Sequence, residues 1–305
     1  MIGRFTVNKQ VVRDLQCEVI RRSFAERLGT LRYFGLCSPE MKDVRDWAPL
    51  FSMIVAAERG EEGQEFRDQH RLLLTAAQYG LIGKLALLRG DIDDIILTGA
   101  DSYGNAVRYP FDVVSLDYSG GLFYRNGTGS FKRLRAMETV IHRQTHHGSP
   151  FLLLMSCNTD SIDTGEVKHT IENIRTELLR GGWNAEEVCG AYLQHPNDLV
   201  RLRVYVPYLV AQLAAGDRYH CHSERVIAYR GNRGVQMLNY RLWLKPDQRT
   251  LAPRFPQERL SQMINAPMVL IENGEMREEN FGLPKLRIQI AAEKTAKASK
   301  SPRGR

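Results

Sequence analysis

Residues 109–124 read YPFDVVSLDYSGGLFY, the most informative stretch of the sequence for the fold. The apolar run VVSL at 113–116 is typical of a buried β-strand, and Asp117 follows where that strand is expected to end. Tyr118 and the SGG sequence at 119–121 then predict a turn. Ligands of open α/β sheets bind beyond the carboxyl ends of the strands, so this acid, ring and glycine turn predict a binding site. A solvated aspartate before an ordinary glycine turn is the simpler alternative.

Composition narrows the class of protein. The 305 residues are 43% hydrophobic and 25% charged, as in an ordinary globular protein with a substantial core. No run of about 18 apolar residues appears, and the N-terminal sequence MIGRFTVNKQ lacks the apolar segment of a secretory signal. The five cysteines are widely spaced and odd in number, which indicates reduced thiols. We therefore expect a cytoplasmic protein that does not enter a membrane.

The net charge of +7 is concentrated at the C-terminus. Residues 291–305 contain five basic residues and one acid, and their composition predicts a disordered basic tail. The basic residues of this tail are Lys294, Lys297, Lys300, Arg303 and Arg305. Such an arm binds polyanions by releasing their counterions, which makes nucleic acid a candidate partner. A solubilising end without a specific partner is the alternative.

Strand and helix patterns alternate through the first half of the chain. An amphipathic helix within residues 1–30 precedes strands that we predict at 31–37, 51–57, 84–88, 113–116 and 150–157, with helices at 39–47, 62–79 and 131–147. Residues 92–97 fit a short helix or a strand. Acidic residues follow four of the strands: Glu58, Asp91, Asp117 and Asp160. The alternation predicts a doubly wound, mostly parallel α/β sheet with carboxylates along one edge.

The pattern changes after residue 157. Helices are predicted at 166–179 and 198–214, and the sequence RGNRG at 230–234 joins two β-rich runs at 219–229 and 235–244. Glycine turn chemistry between such runs predicts an antiparallel hairpin that closes the sheet.

Residues 246–290 are predicted to form a small C-terminal appendage with its own secondary structure. We expect a short helix at 259–264, followed by two further strands at 266–276 and 283–291. These strands form a hairpin against the main domain or pair with a partner chain, and the sequence leaves both possibilities open.

Five βα units followed by a terminal hairpin resemble the fold of class I S-adenosylmethionine-dependent methyltransferases over residues 31–245. Within that fold, the apolar strand followed by the sequence DYSG at 117–120 is similar to the Asp-Pro-Phe-Gly-like turn of tRNA guanine methyltransferases and three-Cys-motif partner proteins. The resemblance implies S-adenosylmethionine as cofactor, with Glu58 on the ribose hydroxyls and Asp91 beside the adenine. It also implies that Gly35 lies under the cofactor.

The same resemblance implies methyl transfer, and the basic charge makes an amine of an RNA or DNA base the expected acceptor. Asp117 and Tyr118 would be the catalytic residues: Asp117 would contact the cofactor and accept a hydrogen bond or a proton from the acceptor, and Tyr118 would offer a stacking face. The family's first loop is usually rich in glycine, whereas FGLCSP at 34–39 contains Gly35 alone. This leaves open a catalytically inactive methyltransferase-like protein that engages nucleic acid or a partner protein.

Two other functions fit the sequence less well. A dinucleotide-dependent oxidoreductase is disfavoured because the GxGxxG pattern is absent after the first predicted strand. His220 and His222 alternate on a predicted strand, but no further ligand follows at a spacing that fits zinc, so we expect no metal site.

Overall fold

The computed structural model describes residues 7–37, 40–59, 65–123, 131–159, 164–231, 234–247 and 257–289. Several features predicted from the sequence lie outside the described residues: the acid Asp160, the helix starts at 38–39 and 62–64, the middle of the turn at 232–233 and the basic tail at 291–305.

The described elements are nine helices and ten strands, apart from three short 3-10 turns. The strands are β1 (Leu31–Leu36), β2 (Phe51–Glu58), β3 (Leu85–Arg89), β4 (Val113–Gly121), β5 (Phe151–Asn158), β6 (Tyr219–Ser223), β7 (Ile227–Arg230), β8 (Gln236–Pro246), β9 (Met268–Glu272) and β10 (Glu275–Glu279). The helices are α1 (Val7–Ser23), α2 (Lys42–Trp47), α3 (Glu65–Gln78), α4 (Ile92–Thr98), α5 (Lys132–Thr145), α6 (Thr164–Arg180), α7 (Ala185–Gln194), α8 (Asp198–Gly216) and α9 (Gln257–Asn265).

All ten strands belong to one sheet. Its order is β10-β9-β7-β8-β5-β4-β1-β2-β3, with β6 also paired to β8. Strands β1 to β5 run parallel to one another, and β8 is antiparallel to both β5 and β7. The predicted doubly wound, mostly parallel sheet with an antiparallel hairpin after it is therefore confirmed.

Helices cover both faces of this sheet. Helices α1, α2 and α3 pack on one face, in a cluster that includes Ile20, Trp47 and Leu72. Helices α4 to α9 pack on the other face, in the largest of the three hydrophobic clusters of the described residues. Val113 of β4 belongs to the first cluster and Val114 to the second, because successive side chains of a strand point to opposite faces.

The predicted turn at residues 118–121 is wrong, since β4 continues through it to Gly121. The register between β4 and β5 shifts between Asp117 and Gly121, so the additional residues are absorbed as an irregularity within the strand. A Cβ on Gly120 would lie 2.4 Å from Nη1 of Arg133, so glycine allows this arginine to lie against the strand. Tyr118 is buried, and this burial holds the segment in the sheet.

Several predicted boundaries also differ. Helix α2 begins at Lys42 rather than at residue 39, because Met41 adopts a left-handed conformation with φ of 48° and buries its side chain. The strand predicted at 219–229 is two strands, β6 and β7, which pair with successive parts of β8. Helix α7 was not predicted. Residues 92–97 form a helix, and a glycine at its C-terminus supplies the left-handed cap.

The C-terminal strands differ from the prediction in position. The stretch predicted as one strand at 266–276 is itself a hairpin, β9–β10, and β9 pairs in parallel with β7 of the main sheet. The strand predicted at 283–291 is wrong, because its described part makes only an isolated bridge between Ile288 and Trp183. The β9–β10 hairpin therefore extends the main sheet beyond β7. None of the helices in the described ranges has the length and apolar character needed to cross a membrane.

Candidate functional site

An open cleft of about 400 Å³ lies at the carboxyl ends of the parallel strands, and we call it the strand-end cleft. Five carboxylates and four cationic side chains of the described residues line it, together with the apolar side chains of Leu36 and Ile92. The carboxylates are those of Asp43, Glu58, Asp91, Asp93 and Asp117. The cations are Lys9, Arg13, Arg59 and Arg133. Ligands of open α/β sheets bind at this edge, so the cleft is the first candidate for a site.

Two of the predicted carboxylates flank the end of β1. Leu36 pairs with Ala57 of β2, and Gly35 pairs with Ser115 of β4. Glu58 and Asp117, one and two residues further along, therefore lie at about the same level on either side of β1. Because successive side chains of a strand point to opposite faces, the side chains of both residues lie on the face of the sheet that α1 covers. With strands spaced about 4.8 Å apart, the backbones at these two carboxylates are about 10 Å apart.

Asp91 caps helix α4 in the adjacent turn. Its Oδ1 accepts a hydrogen bond from the amide of Asp93 at 3.0 Å, and Lys132 Nζ lies 3.1 Å from the same oxygen. The amide of Gly90 donates to the carbonyl of Glu58 at 3.2 Å, which ties this turn to the end of β2. The φ of 137° at Gly90 favours glycine in so tight a connection. Asp91 and Glu58 therefore border the same side of the cleft.

Asp117 is ion-paired at the other end of the cleft. Lys9 Nζ of helix α1 lies 2.8 Å from Asp117 Oδ2, and the two side chains are 32% and 25% exposed. One helical turn further along, Arg13 is buried and pairs with Asp43 of α2. Burial lowers the pKa of Arg13, and the negative charge of Asp117 opposes that shift. Helix α1 therefore covers the part of the cleft beside β4.

Tyr118 is buried and is engaged by other residues of the protein. Its hydroxyl donates to Asp93 Oδ1 at 2.7 Å, and the guanidinium of Arg133 lies 5.1 Å from its ring centroid. Burial raises the pKa of Tyr118 well above its ordinary value, and the charge of Asp93 adds to the shift. The Asp93 carboxyl also has a raised pKa, chiefly because it is buried. Both groups border the cleft from the face opposite to α1.

Gly35 is not among the described residues that line the cleft, whereas its neighbours Leu36 and Cys37 are. A Cβ at Gly35 would lie 2.4 Å from the carbonyl oxygen of Ser115 and 2.8 Å from the hydroxyl oxygen of Tyr33. Glycine is therefore required by the contact between β1 and β4 inside the sheet.

The charged residues that the helices contribute to the cleft were not predicted from the sequence. Lys9 and Arg13 are four residues apart and so lie on one face of α1. This spacing was a usable signal for one charged face of the helix. Arg22 near the end of α1 and Arg27 after it are more than half exposed, at 58% and 52%. Asp93 was also missed, although acids in the first turn of a helix are a common feature of helix starts.

No protein-family model matches the sequence, and a search of curated proteins finds no match. Among solved structures, the chain is similar to the O-methyltransferase TomG from Streptomyces achromogenes in complex with S-adenosylmethionine, at 11% identity and a TM-score of 0.41, covering 76% of this chain and 80% of that one. It is similar to an O-methyltransferase from Bacillus cereus in complex with S-adenosylhomocysteine, at 12% identity and a TM-score of 0.41, covering 79% and 92%.

An rRNA methylase from Streptococcus thermophilus is similar at 11% identity and a TM-score of 0.41, covering 77% of this chain and 96% of that one. The assignment of the fold rests on the topology of the sheet rather than on these distant similarities. Five parallel strands in the order 5-4-1-2-3, followed by an antiparallel hairpin, give this chain a Rossmann-like, methyltransferase-like fold.

Proposed function

We propose that the strand-end cleft binds S-adenosylmethionine and that the protein transfers the methyl group of this cofactor. The main support is the position of Glu58 and Asp91, at the ends of adjacent strands, beside the apolar Leu36 and Ile92. A nucleoside needs acceptors for its hydroxyls and apolar surface for its base, and this arrangement offers both. The volume of about 400 Å³ is within the range of small-molecule sites.

Each of these residues has a role in the proposal. Glu58 accepts hydrogen bonds from the two ribose hydroxyls, since an ionised carboxylate has two acceptor oxygens. Asp91 is already fixed as the cap of α4 and accepts from the exocyclic amine of adenine, while Leu36 and Ile92 contact the base. Gly35 acts indirectly, because it lets β1 pack closely enough on β4 to bring Leu36 to the cleft. The cofactor supplies the reactive methyl group.

Asp117 is the residue that we propose to contact the methyl acceptor. It lies across the end of β1 from Glu58, and its carboxylate can orient a donor group and accept a proton. Tyr118 was predicted to stack on the acceptor. The guanidinium of Arg133 covers its ring, and Asp93 accepts the hydrogen bond from its hydroxyl. We therefore propose that Tyr118 instead fixes the position of Asp93.

We propose that the methyl acceptor, when it is a separate molecule, is a nucleic acid. The support is the net charge of +7 and the five basic residues predicted for the tail at 291–305.

The test measures transfer of labelled methyl groups from S-adenosylmethionine to a mixture of RNA and DNA. It addresses both the proposed methyl transfer and the proposed class of acceptor. Asp117→Asn removes the proton acceptor while keeping the size of the side chain, so transfer falls sharply and cofactor affinity changes little. Glu58→Gln weakens cofactor binding, so transfer recovers at high cofactor concentration. Glu272→Gln, on the exposed hairpin, is the control and transfers as the unchanged protein does. Transfer that survives in Asp117→Asn overturns the assigned role.

A binding or assembly protein that does not catalyse is the second candidate, and one contact favours it. Lys9 forms an ion pair with the carboxylate of Asp117, where the acceptor would bind. In that case Asp117→Asn and Glu58→Gln leave retention of RNA unchanged. Measurable transfer by the unchanged protein excludes this candidate.

A further inference from the structure

The strand-end cleft already contains a primary amine. Lys9 Nζ lies 2.8 Å from Asp117 Oδ2, and both residues line the cleft together with Glu58 and Asp91. Under the proposed function, Asp117 is the carboxylate that holds the methyl acceptor. The amine of Lys9 is therefore at the position where an acceptor nitrogen would bind.

Contacts at both sides of Lys9 fix the backbone that carries its side chain. The side chain of the preceding residue, Asn8, donates to the carbonyl of Arg230 at 3.3 Å and accepts from the amide of Gly274 at 2.8 Å. These bonds attach the start of α1 to β7 and to the β9–β10 hairpin. One turn further along α1, Arg13 pairs with Asp43. These contacts fix the backbone on both sides of Lys9, and the pair with Asp117 directs its amine into the cleft, so less orientational entropy is lost on reaching a reactive position.

We propose that Lys9 is a methyl acceptor in cis, so that the protein methylates the Nζ atom of its own N-terminal helix. This inference rests on the proposed function and deepens it, since it identifies an aliphatic amine as an acceptor of the same site. Glu58 and Asp117 lie about two strand spacings, or about 10 Å, apart across β1. A cofactor with its ribose on Glu58 would have to reach across the end of β1 for its methyl group to meet Lys9.

The reaction balances without a further reagent. The Lys9 ammonium first loses one proton, which passes through the Asp117 carboxylate to solvent. The free electron pair on nitrogen attacks the methyl carbon, and the carbon–sulfur bond breaks with its electrons remaining on sulfur. The products are N-methyl-lysine, S-adenosylhomocysteine and one proton.

Lys132 provides an internal control. Its Nζ also pairs with carboxylates, at 3.1 Å from Asp91 and 2.9 Å from Asp94, and its side chain is 30% exposed against 32% for Lys9. Lys132 is not among the described residues that line the cleft. Chemical methylation by free cofactor does not depend on the cleft, so it would also modify Lys132 and other partly exposed lysines, whereas the proposed reaction modifies Lys9 alone.

The test is incubation of the purified full chain with S-adenosylmethionine at mildly alkaline pH, followed by peptide mass spectrometry. We expect the mass of one or more methyl groups on the peptide that contains Lys9, and none on the peptide that contains Lys132. Lys9→Arg, which keeps the charge beside Asp117, abolishes the gain. The modified fraction at a given time does not depend on protein concentration, because the reaction is intramolecular.

Calorimetric titration of the same sample with S-adenosylmethionine separates the possible failures. Binding of the cofactor with Lys9 unmodified after prolonged incubation overturns this inference and leaves the proposed cofactor site standing. Equal modification of Lys9 and Lys132 also overturns it, since that result indicates chemical methylation. Absence of binding overturns both proposals.

Discussion

Gly35 illustrates how a residue at the edge of a site can serve the sheet. The contact that excludes a side chain there is with Ser115 and Tyr33, inside the protein. The resemblance placed Gly35 under the cofactor, and nothing in the sequence of β1 alone reveals its neighbour on β4, because strand pairing is a long-range property.

We predict that Gly35→Ala destabilises the protein by about 1–3 kcal/mol, since an added methyl group in a packed interior forces neighbouring atoms to move. Urea denaturation measures the change. Gly83→Ala is the matched control, because a Cβ there meets nothing within 4 Å, and we expect its stability to remain near that of the unchanged protein. Equal stability of the two variants would contradict this account of Gly35.

Asp93 gives a prediction about pH. Burial raises its folded pKa above the ordinary value of 3.8, so the folded state binds more protons than the unfolded state between these two values. Stability contributed by this carboxyl therefore falls as pH rises through that window. Asp93→Asn removes the titration and keeps an acceptor for the hydroxyl of Tyr118.

We expect the stability of Asp93→Asn relative to the unchanged protein to increase as pH rises from about 4. Urea denaturation over a series of pH values measures it, with the exposed Asp94→Asn as the control for loss of one charge. A difference in stability that is independent of pH would count against a raised pKa at Asp93.

At the scale of elements, helix α1 contributes more than its hydrophobic pattern indicated. Its apolar residues predicted an amphipathic helix, and the structure confirms this with α1. The pattern does not show which polar residues of a helix reach a distant strand. That depends on how α1 crosses the sheet, which is why Lys9 and Arg13 were not predicted.

Arg13 and Arg22 allow a comparison of two ion pairs on this helix. Arg13 is 6% exposed, whereas the side chain of Arg22 is 58% exposed and lies 2.5 Å from Glu224. We predict that Arg13→Ala costs about 3 kcal/mol, because it leaves Asp43 without this buried partner. Arg22→Ala costs less than about 1 kcal/mol. Thermal or urea denaturation compares the two variants. A larger loss of unfolding free energy for Arg22→Ala would show that burial does not determine how much these ion pairs stabilise the protein.

The accuracy with which the other strands were predicted depends on how clear their sequence pattern is. The strands β1, β2, β3 and β5 follow mainly apolar runs, and the prediction located each of them within about a residue. Strand β4 passes through SGG at 119–121 because burial of Tyr118 outweighs the turn preference of glycine. The hairpin β9–β10 was merged into one strand, since its turn at Asn273 and Gly274 was not recognised as the Asn-Gly signal of a two-residue connection.

At the scale of the molecule, the order of elements was sufficient to predict the doubly wound sheet. It was also sufficient to predict that carboxylates follow the strands, and Glu58, Asp91 and Asp117 line one cleft. The cationic side chains that α1, α5 and the turn after β2 contribute to the cleft were not predicted, because they belong to other segments of the chain.

The tail at 291–305 gives a prediction about nucleic-acid binding. If this tail contacts phosphates, deleting it lowers the slope of log affinity against log salt by an amount that corresponds to at most its five basic residues. Fluorescence titration with single-stranded RNA at several salt concentrations measures the slope. Replacement of the same five residues by glutamine is the control for loss of length, and a slope unchanged by either variant excludes the tail as a polyanion contact.

The central claim is that the strand-end cleft holds S-adenosylmethionine through Glu58. Calorimetric titration with S-adenosylmethionine and S-adenosylhomocysteine tests it most directly, in the unchanged protein, in Glu58→Ala and in the control Glu272→Ala. We predict saturable binding of both ligands, lost in Glu58→Ala and retained in Glu272→Ala. Absence of binding to the unchanged protein, or equal binding by Glu58→Ala, would contradict the account.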